Sequence, residues 1–249
     1  GTVSNTTIYV RLKAGLSVGS YNSEAITATP TSATNKTVTC SGAVTEPTIT
    51  VSATELTGFS YFLGLGPSTN QTFTTSGTSL ANNITISAPT NYEISLSSGS
   101  GFTNEIVLTQ TGGNVSNTTI YVRLKTGLVI GSYNSENISL TSTGATSKSV
   151  ACSGNVTLAP VTGLSIGCKS NTTAVINWTA PVGTYEGVVI AIRNDDTNPP
   201  HTISDGTDPV SLNADAAFQV GTQFGSTEPY SYVVYKGTGT LLTVTGLTQ

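Results

Sequence analysis

The sequence predicts an all-β chain of tandem β-sandwiches, and three observations carry that prediction. The first is a long repeat. VSNTTIYVRLKAGLSVGSYNSEAITATPTSATNKTVTCSGAV at 3–44 returns as VSNTTIYVRLKTGLVIGSYNSENISLTSTGATSKSVACSGNV at 115–156, offset by 112 residues and identical at 30 of 42 aligned positions. A fixed period of that length marks tandem domains rather than a solenoid of small units. The second is composition: Thr and Ser make up nearly a third of the 249 residues and only 9% are charged. Such a chain lacks the means for charge-laced surface helices, and its Thr, Val, Ile and Tyr suit pleated, half-buried strands. The third is punctuation, because Gly, Asn and Ser clusters recur between short alternating apolar stretches.

The period sets the expected organisation. The complete unit is 45–156, and 1–44 is the C-terminal half of another unit, since Gly1 aligns with Gly113. Within the complete unit, alternating stretches predict strands at 49–52, 69–77, 83–96, 105–110, 118–125, 133–143 and 148–156. The third carries a Pro-Thr-Asn break at 89–91 and reads as two strands or one bent strand. Seven or eight short strands, with turn signals roughly every 10–15 residues, are the pattern of an immunoglobulin-like sandwich. Leu16-x-x-Gly19-x-Tyr21 recurs as Leu128-x-x-Gly131-x-Tyr133 between two alternating stretches. A tyrosine corner lies at that place, with its hydroxyl bonded to upstream backbone at the entry to strand F. Residues 1–44 then read as strands E, F and G.

From 157 onward the sequence changes. Ala159-Pro160-Val161-Thr162-Gly163-Leu164 leads into AVINWTAP at 174–181 and YEGVVIAIR at 185–193. This order resembles a fibronectin type III module, and Trp178, the one Trp of the chain, falls where that family buries one. YEGVVIAIR, SDGTDP at 204–209 and YVVYKGTGTLLTVTGLT at 232–248 resemble the divergent version common in exported Bacteroidetes proteins. The complete unit also resembles Ig-like repeats of large exported proteins of that lineage, through TGFSYFLGLGPSTNQTFTTSG, ITISAPTNYEISLSSGSGF and TTIYVRLKTGL. The expected fold is therefore all-β, with tandem immunoglobulin-like and fibronectin type III-like sandwiches: strands E–G at 1–44, a full repeat at 45–156, and a fibronectin-like module at 157–249 lacking its last strands. Such a module would leave apolar surface around Trp178 uncovered, at about 25 cal/mol per Å². The expectation is that the native chain continues at both ends, and the absence of Met agrees with mature or internal sequence.

The net charge of −4 and pI near 4.8 argue against a nucleic-acid partner, whose binding rests on Lys and Arg neutralising phosphates. No apolar run is long enough to cross a membrane as a helix. Catalytic, cofactor and metal residues are all expected to be none. His201, the single histidine, sits in a Pro-rich connection, unlike a triad member held in a pocket. Asp195, Asp196, Asp205, Asp208 and Asp215 cluster in the last segment. They read as turn-formers, with structural calcium on their oxygens as the alternative. Cys40 and Cys152 share a repeat position with no partner inside the unit, so they read as free thiols. A Cys152–Cys168 bridge is the alternative. In TIYVRLK, Tyr9, Arg11 and Lys13 face away from Ile8, Val10 and Leu12, and Tyr121, Arg123 and Lys125 repeat the strip. It reads as a solvated outer face that discourages edge pairing, with acidic polysaccharide as the ligand alternative. The sequons at Asn5, Asn83, Asn117 and Asn177 are expected by chance in so Asn-, Ser- and Thr-rich a chain.

These readings converge on a non-enzymatic extracellular protein of a Bacteroidetes-type bacterium: an adhesin, stalk or surface filament. Its partners would be neighbouring modules of the same longer chain and, in a ligand-binding role, polysaccharide or other cell-surface ligands. By resemblance it would leave the cell by the type IX system, with no direct membrane insertion. The alternatives are the accessory region of a secreted hydrolase or nuclease, and a subunit polymerising by strand exchange.

Overall fold

The computed structural model describes residues 4–193, 213–224 and 230–247, and every regular element among them is a strand. Contacts divide the chain into two compact units: Gly1–Thr57, Asn70–Arg123 and Ser135–Ser153 in the first, and Gly58–Thr69, Leu124–Asn134 and Gly154–Gln249 in the second.

The first 44 residues give one antiparallel hairpin, β1 (Gly19–Ala28) and β2 (Lys36–Val44), in register Ile26↔Val38 and Ala25↔Thr39. These are the expected strands F and G. The expected strand E does not form: 4–18 holds no strand, although its TIYVRLK is the sequence that forms a strand further on. A strand exists only with a partner for its backbone N–H and C=O groups, and this copy has none beside it among the described residues.

The repeat unit supplies nine strands: β3 (Thr48–Val51), β4 (Glu55–Phe62), β5 (Gln71–Thr78), β6 (Ile84–Ser87), β7 (Tyr92–Ser95), β8 (Glu105–Leu108), β9 (Val115–Leu124), β10 (Gly131–Thr141) and β11 (Lys148–Thr157). One sheet has the order β3-β5-β9-β7 and the other β4-β11-β10-β6-β8. In immunoglobulin terms the first is A-B-E-D, and the second places G, F and C side by side. Alternation is visible in burial, with Ile120, Val122 and Leu124 of β9 fully buried between half-exposed neighbours. The predicted break at 89–91 separates β6 from β7.

Strand β4 was not among the expected strands. Its buried residues, Leu56 and Phe59, lie three apart instead of two. Gly58 between them has φ +82°, the left-handed glycine of a bulge, which puts both side chains on the core side. The bulge hides the period-2 signal. Ala151 N–H donates to the Thr54 carbonyl (2.9 Å) and Leu63 N–H to the Thr157 carbonyl (2.8 Å). Contact therefore advances in the same direction along both chains, so β4 and β11 run parallel.

The last segment forms two three-stranded sheets. One is β12 (Thr162–Ser170), β13 (Thr173–Thr179) and β17 (Leu241–Val244), in the order β12-β13-β17. The other is β14 (Val188–Ile192), β16 (Ser231–Gly237) and β15 (Gln223–Phe224), in the order β14-β16-β15. The first matches the A-B-E sheet of a fibronectin type III module, and β14 with β16 supplies its C-C′ pair. Ile176, Trp178, Val188, Phe218, Val234 and Val244 form the core, with Tyr185, Tyr232 and Tyr235 packed against it. Trp178 is buried as expected and meets Tyr235 edge-on, with ring centroids 5.0 Å apart. The chain is thus all-β, built of immunoglobulin-like and fibronectin type III-like sandwich elements.

Candidate functional surfaces

Both tyrosine corners form. Tyr133 Oη donates to the Val129 carbonyl and Tyr21 Oη to the Ser17 carbonyl, each at 2.8 Å. Two residues past each tyrosine the backbone takes the same left-handed step, at Ser23 (φ 61°) and Ser135 (φ 59°).

Tyr121 and Arg123 of the cationic strip lie on the outward face of β9, as alternation demands, and Lys125 follows its last residue. The strip's central charge is spent inside the repeat unit: Arg123 Nε donates to Glu93 Oε1 at 2.7 Å, and its guanidinium carbon lies 3.6 Å from the Phe102 ring centroid. Arg123 combines a charge-assisted hydrogen bond with a cation–π contact, a pairing that suits its planar fork. The first-copy counterparts Tyr9, Arg11 and Lys13 sit on no strand, and Tyr9 is 93% exposed.

The acidic candidates divide. Asp195, Asp196, Asp205 and Asp208, together with His201, lie outside the described residues. Asp215 is a turn residue: its Oδ1 accepts the Ala217 N–H at 2.8 Å, the local bond that makes Asp a turn-former. Among the described residues no cluster of three or more His, Cys, Asp or Glu side chains is arranged to hold a metal. Cys152 is a free, fully buried thiol rather than a disulfide partner. Burial, with the Glu136 charge second, pushes its pKa from 9.0 to about 12. Cys40 is also free and partly exposed, and the Cys168 side chain lies outside the described residues.

One open cleft of about 610 Å³ lies beside β6, β8 and β10, lined by Asn82, Asn83, Thr85, Val107, Gln110 and Ser142 among others. Two of its polar side chains are turned to backbone: Asn83 Oδ1 accepts the Gln110 N–H (3.1 Å) and Ser142 Oγ donates to the Asn82 carbonyl (2.9 Å). Its lining holds no acid, base or thiol.

A close turn-to-turn junction lies inside the second compact unit. Thr184 N–H donates to the Leu63 carbonyl at 2.9 Å, while Leu63 N–H holds the Thr157 carbonyl. Gly183 has φ +85°, and a Cβ there would lie 2.3 Å from the Leu63 oxygen. The adjoining loop is tied down at three points. Tyr61 Oη donates to the Lys125 carbonyl (2.8 Å) and accepts the Leu128 N–H (3.1 Å), and Thr126 Oγ1 donates to the Gly66 carbonyl (3.2 Å). Burial raises the Tyr61 pKa above the usual tyrosine value. Sequence reasoning assigned no role to this loop. The glycines at 64 and 183 were the available signal, but their closeness is set by the fold.

No protein-family model matches the chain, and no curated protein matches it. Among solved structures, domains A168–A170 of titin align over 85% of this chain and 60% of that one, at 11% identity and TM-score 0.25. The FN1–FN3 domains of chicken CNTN1 align over 86% and 58%, at 9% identity and TM-score 0.20. The chain thus spans less than two thirds of each of these multidomain structures, and its fold assignment rests on the strand orders given above.

Proposed function

We propose that this chain is a non-enzymatic spacer: part of an extracellular multi-domain adhesin, stalk or filament whose repeated sandwiches transmit force between what lies on either side. The observation that carries this is the parallel pairing of β4 with β11. Tension on a tandem module enters through β3, passes to the start of β4, and leaves at the end of β11. Because the two strands run the same way, opposite pulls on those ends load their hydrogen bonds in shear, all together, instead of unzipping them singly. The Thr184–Leu63 junction and the Pro-containing connections at 44–47 and 156–160 agree with modules that hold direction, since proline stiffens linkers. The cell surface of a Bacteroidetes-type bacterium, type IX export and contact with acidic polysaccharide belong to the same proposal. The polysaccharide part rests on the sequence pattern of Tyr121, Arg123 and Lys125, with Arg123 already engaged by Glu93 and Phe102.

Single-molecule pulling on the chain tests the proposal. The expected record has a discrete force peak for the 45–156 module, followed by a length gain on the order of 350 Å, from ~3.3–3.6 Å per extended residue. Smooth extension without a peak sinks the spacer reading. Labelling of intact source cells with an antibody to the chain tests the location separately.

A further inference from the structure

The chain displays the same sequence twice, once covered and once bare. Ile120, Val122, Leu124, Ile138 and Val150 are 0% exposed, whereas their counterparts Ile8, Val10, Leu12, Ile26 and Val38 are 77%, 55%, 41%, 43% and 65% exposed. The cover over the second copy comes from 45–112, which supplies Phe59, Phe73, Ile84, Ile86, Tyr92 and Ile94 to the core. We propose that the apolar face of 4–44 is a docking surface for an additional front half of the repeat, a polypeptide of the 45–112 sequence, which closes it into a second complete sandwich.

The bare copy is already shaped for that partner. Its tyrosine corner and left-handed serine match those of the covered copy. In both copies the leucine of TIYVRLK packs on the glycine of the last strand of that copy. A Cβ on Gly42 would lie 2.9 Å from Leu12 Cδ1, and one on Gly154 would lie 2.8 Å from Leu124 Cδ1. Gly154 also carries the Phe59 backbone and Cβ, at 2.5 and 2.7 Å from that position, whereas the three nearest atoms over Gly42 all belong to Leu12. No phenylalanine takes the nearest place over Gly42 that Phe59 takes over Gly154. Likewise β9 pairs along its length with β5, as in Phe73↔Ile120 and Gln71↔Val122, while 6–13 pairs with no strand among the described residues. A second copy of the whole chain does not meet the need, because its own 45–112 already covers its 115–156. An additional front half is required.

The test extends the chain by a copy of 45–112 placed before Gly1, which reproduces at that point the 112–113 connection of the repeat unit. Cys40, the counterpart of buried Cys152, reports closure through alkylation by iodoacetamide read by peptide mass spectrometry. Amide exchange over 6–13 reports strand formation. Protection tracks local opening, so Cys40 alkylation should slow by at least about tenfold towards the Cys152 rate, and 6–13 should become exchange-protected. Phe73→Asp in the added copy should return Cys40 to its original reactivity. Unchanged Cys40 reactivity in the extended chain overturns the proposal, as does equal protection by the Phe73→Asp extension. Cys40 already protected in the unextended chain, in a concentration-dependent dimer, also overturns it by naming a second copy as the occupant.

Discussion

At the scale of single residues, Cys152 shows how burial converts a small polar group into a core packer. Free cysteine behaves as a small hydrophobe, and at 0% exposure its ionised form has no solvent to stabilise it. The consequence is a pH dependence of definite sign. Below about pH 9 the thiol is neutral in both folded and unfolded chains, so its contribution to stability is fully present. Between 9.0 and about 12 the unfolded chain releases the proton while the folded one keeps it. Stability therefore falls, by up to about 1.4 kcal/mol per pH unit for one proton. Tyr92, raised first by burial and then by Cys152 and Glu136, acts in the same direction at higher pH. Urea unfolding of the repeat unit should weaken steadily from pH 9 to 11. Cys152→Ala should be less stable at pH 7 but lose less across that window. Parallel losses in parent and variant would show that Cys152 is not the titrating group.

At the scale of elements, the heptapeptide TIYVRLK is a strand at 119–125's neighbourhood and no strand at 7–13, which separates local from non-local causes of structure. The cost of ordering a backbone is met only when its polar groups and apolar face find partners. Ile120→Ala should therefore destabilise the repeat unit by about 2–5 kcal/mol, whereas Ile8→Ala should change stability by less than about 0.5 kcal/mol. Chemical denaturation followed by the repeat-unit signal checks both, and equal effects would contradict the assigned environments. The same contrast explains what was legible beforehand. Strands with period-2 alternation were readable, as were the tyrosine corners, because Tyr133 bonds to the Val129 carbonyl only four residues upstream. So was the core position of Trp178. Strand β4 was hidden because the bulge at Gly58 breaks its alternation. The loss of strand E in the first copy was hidden because it depends on a partner strand far away in sequence. Of the candidate surfaces, the outward strip was legible from alternation. The pairing of Arg123 with Glu93 and Phe102 was not, since it joins strand β9 to the 93–102 hairpin.

At the scale of the whole molecule, a spacer depends less on any one sandwich than on whether its joints hold direction. The Thr184–Leu63 hydrogen bond is short-range and backbone to backbone, so it exists only while the two turns stay in close approach. Gly183 makes that approach possible twice over, through its left-handed φ and through the missing Cβ. Gly183→Ala removes both conditions: a left-handed backbone costs an L-residue about 1–2 kcal/mol, and the methyl overlaps the Leu63 oxygen. The turn must move away, and Thr184 must give its N–H to water. In native-state amide exchange Thr184 should exchange at least about tenfold faster in the variant, and the connection at 157–161 should become more open to proteolysis, as expected where local contacts are lost. Amides of β16, which pair within their own sheet, should keep their protection, and that separates a loosened joint from a failed fold. If Thr184 exchanges at the parent rate, the junction is not what fixes these turns, and the rigidity assigned to this joint fails with it.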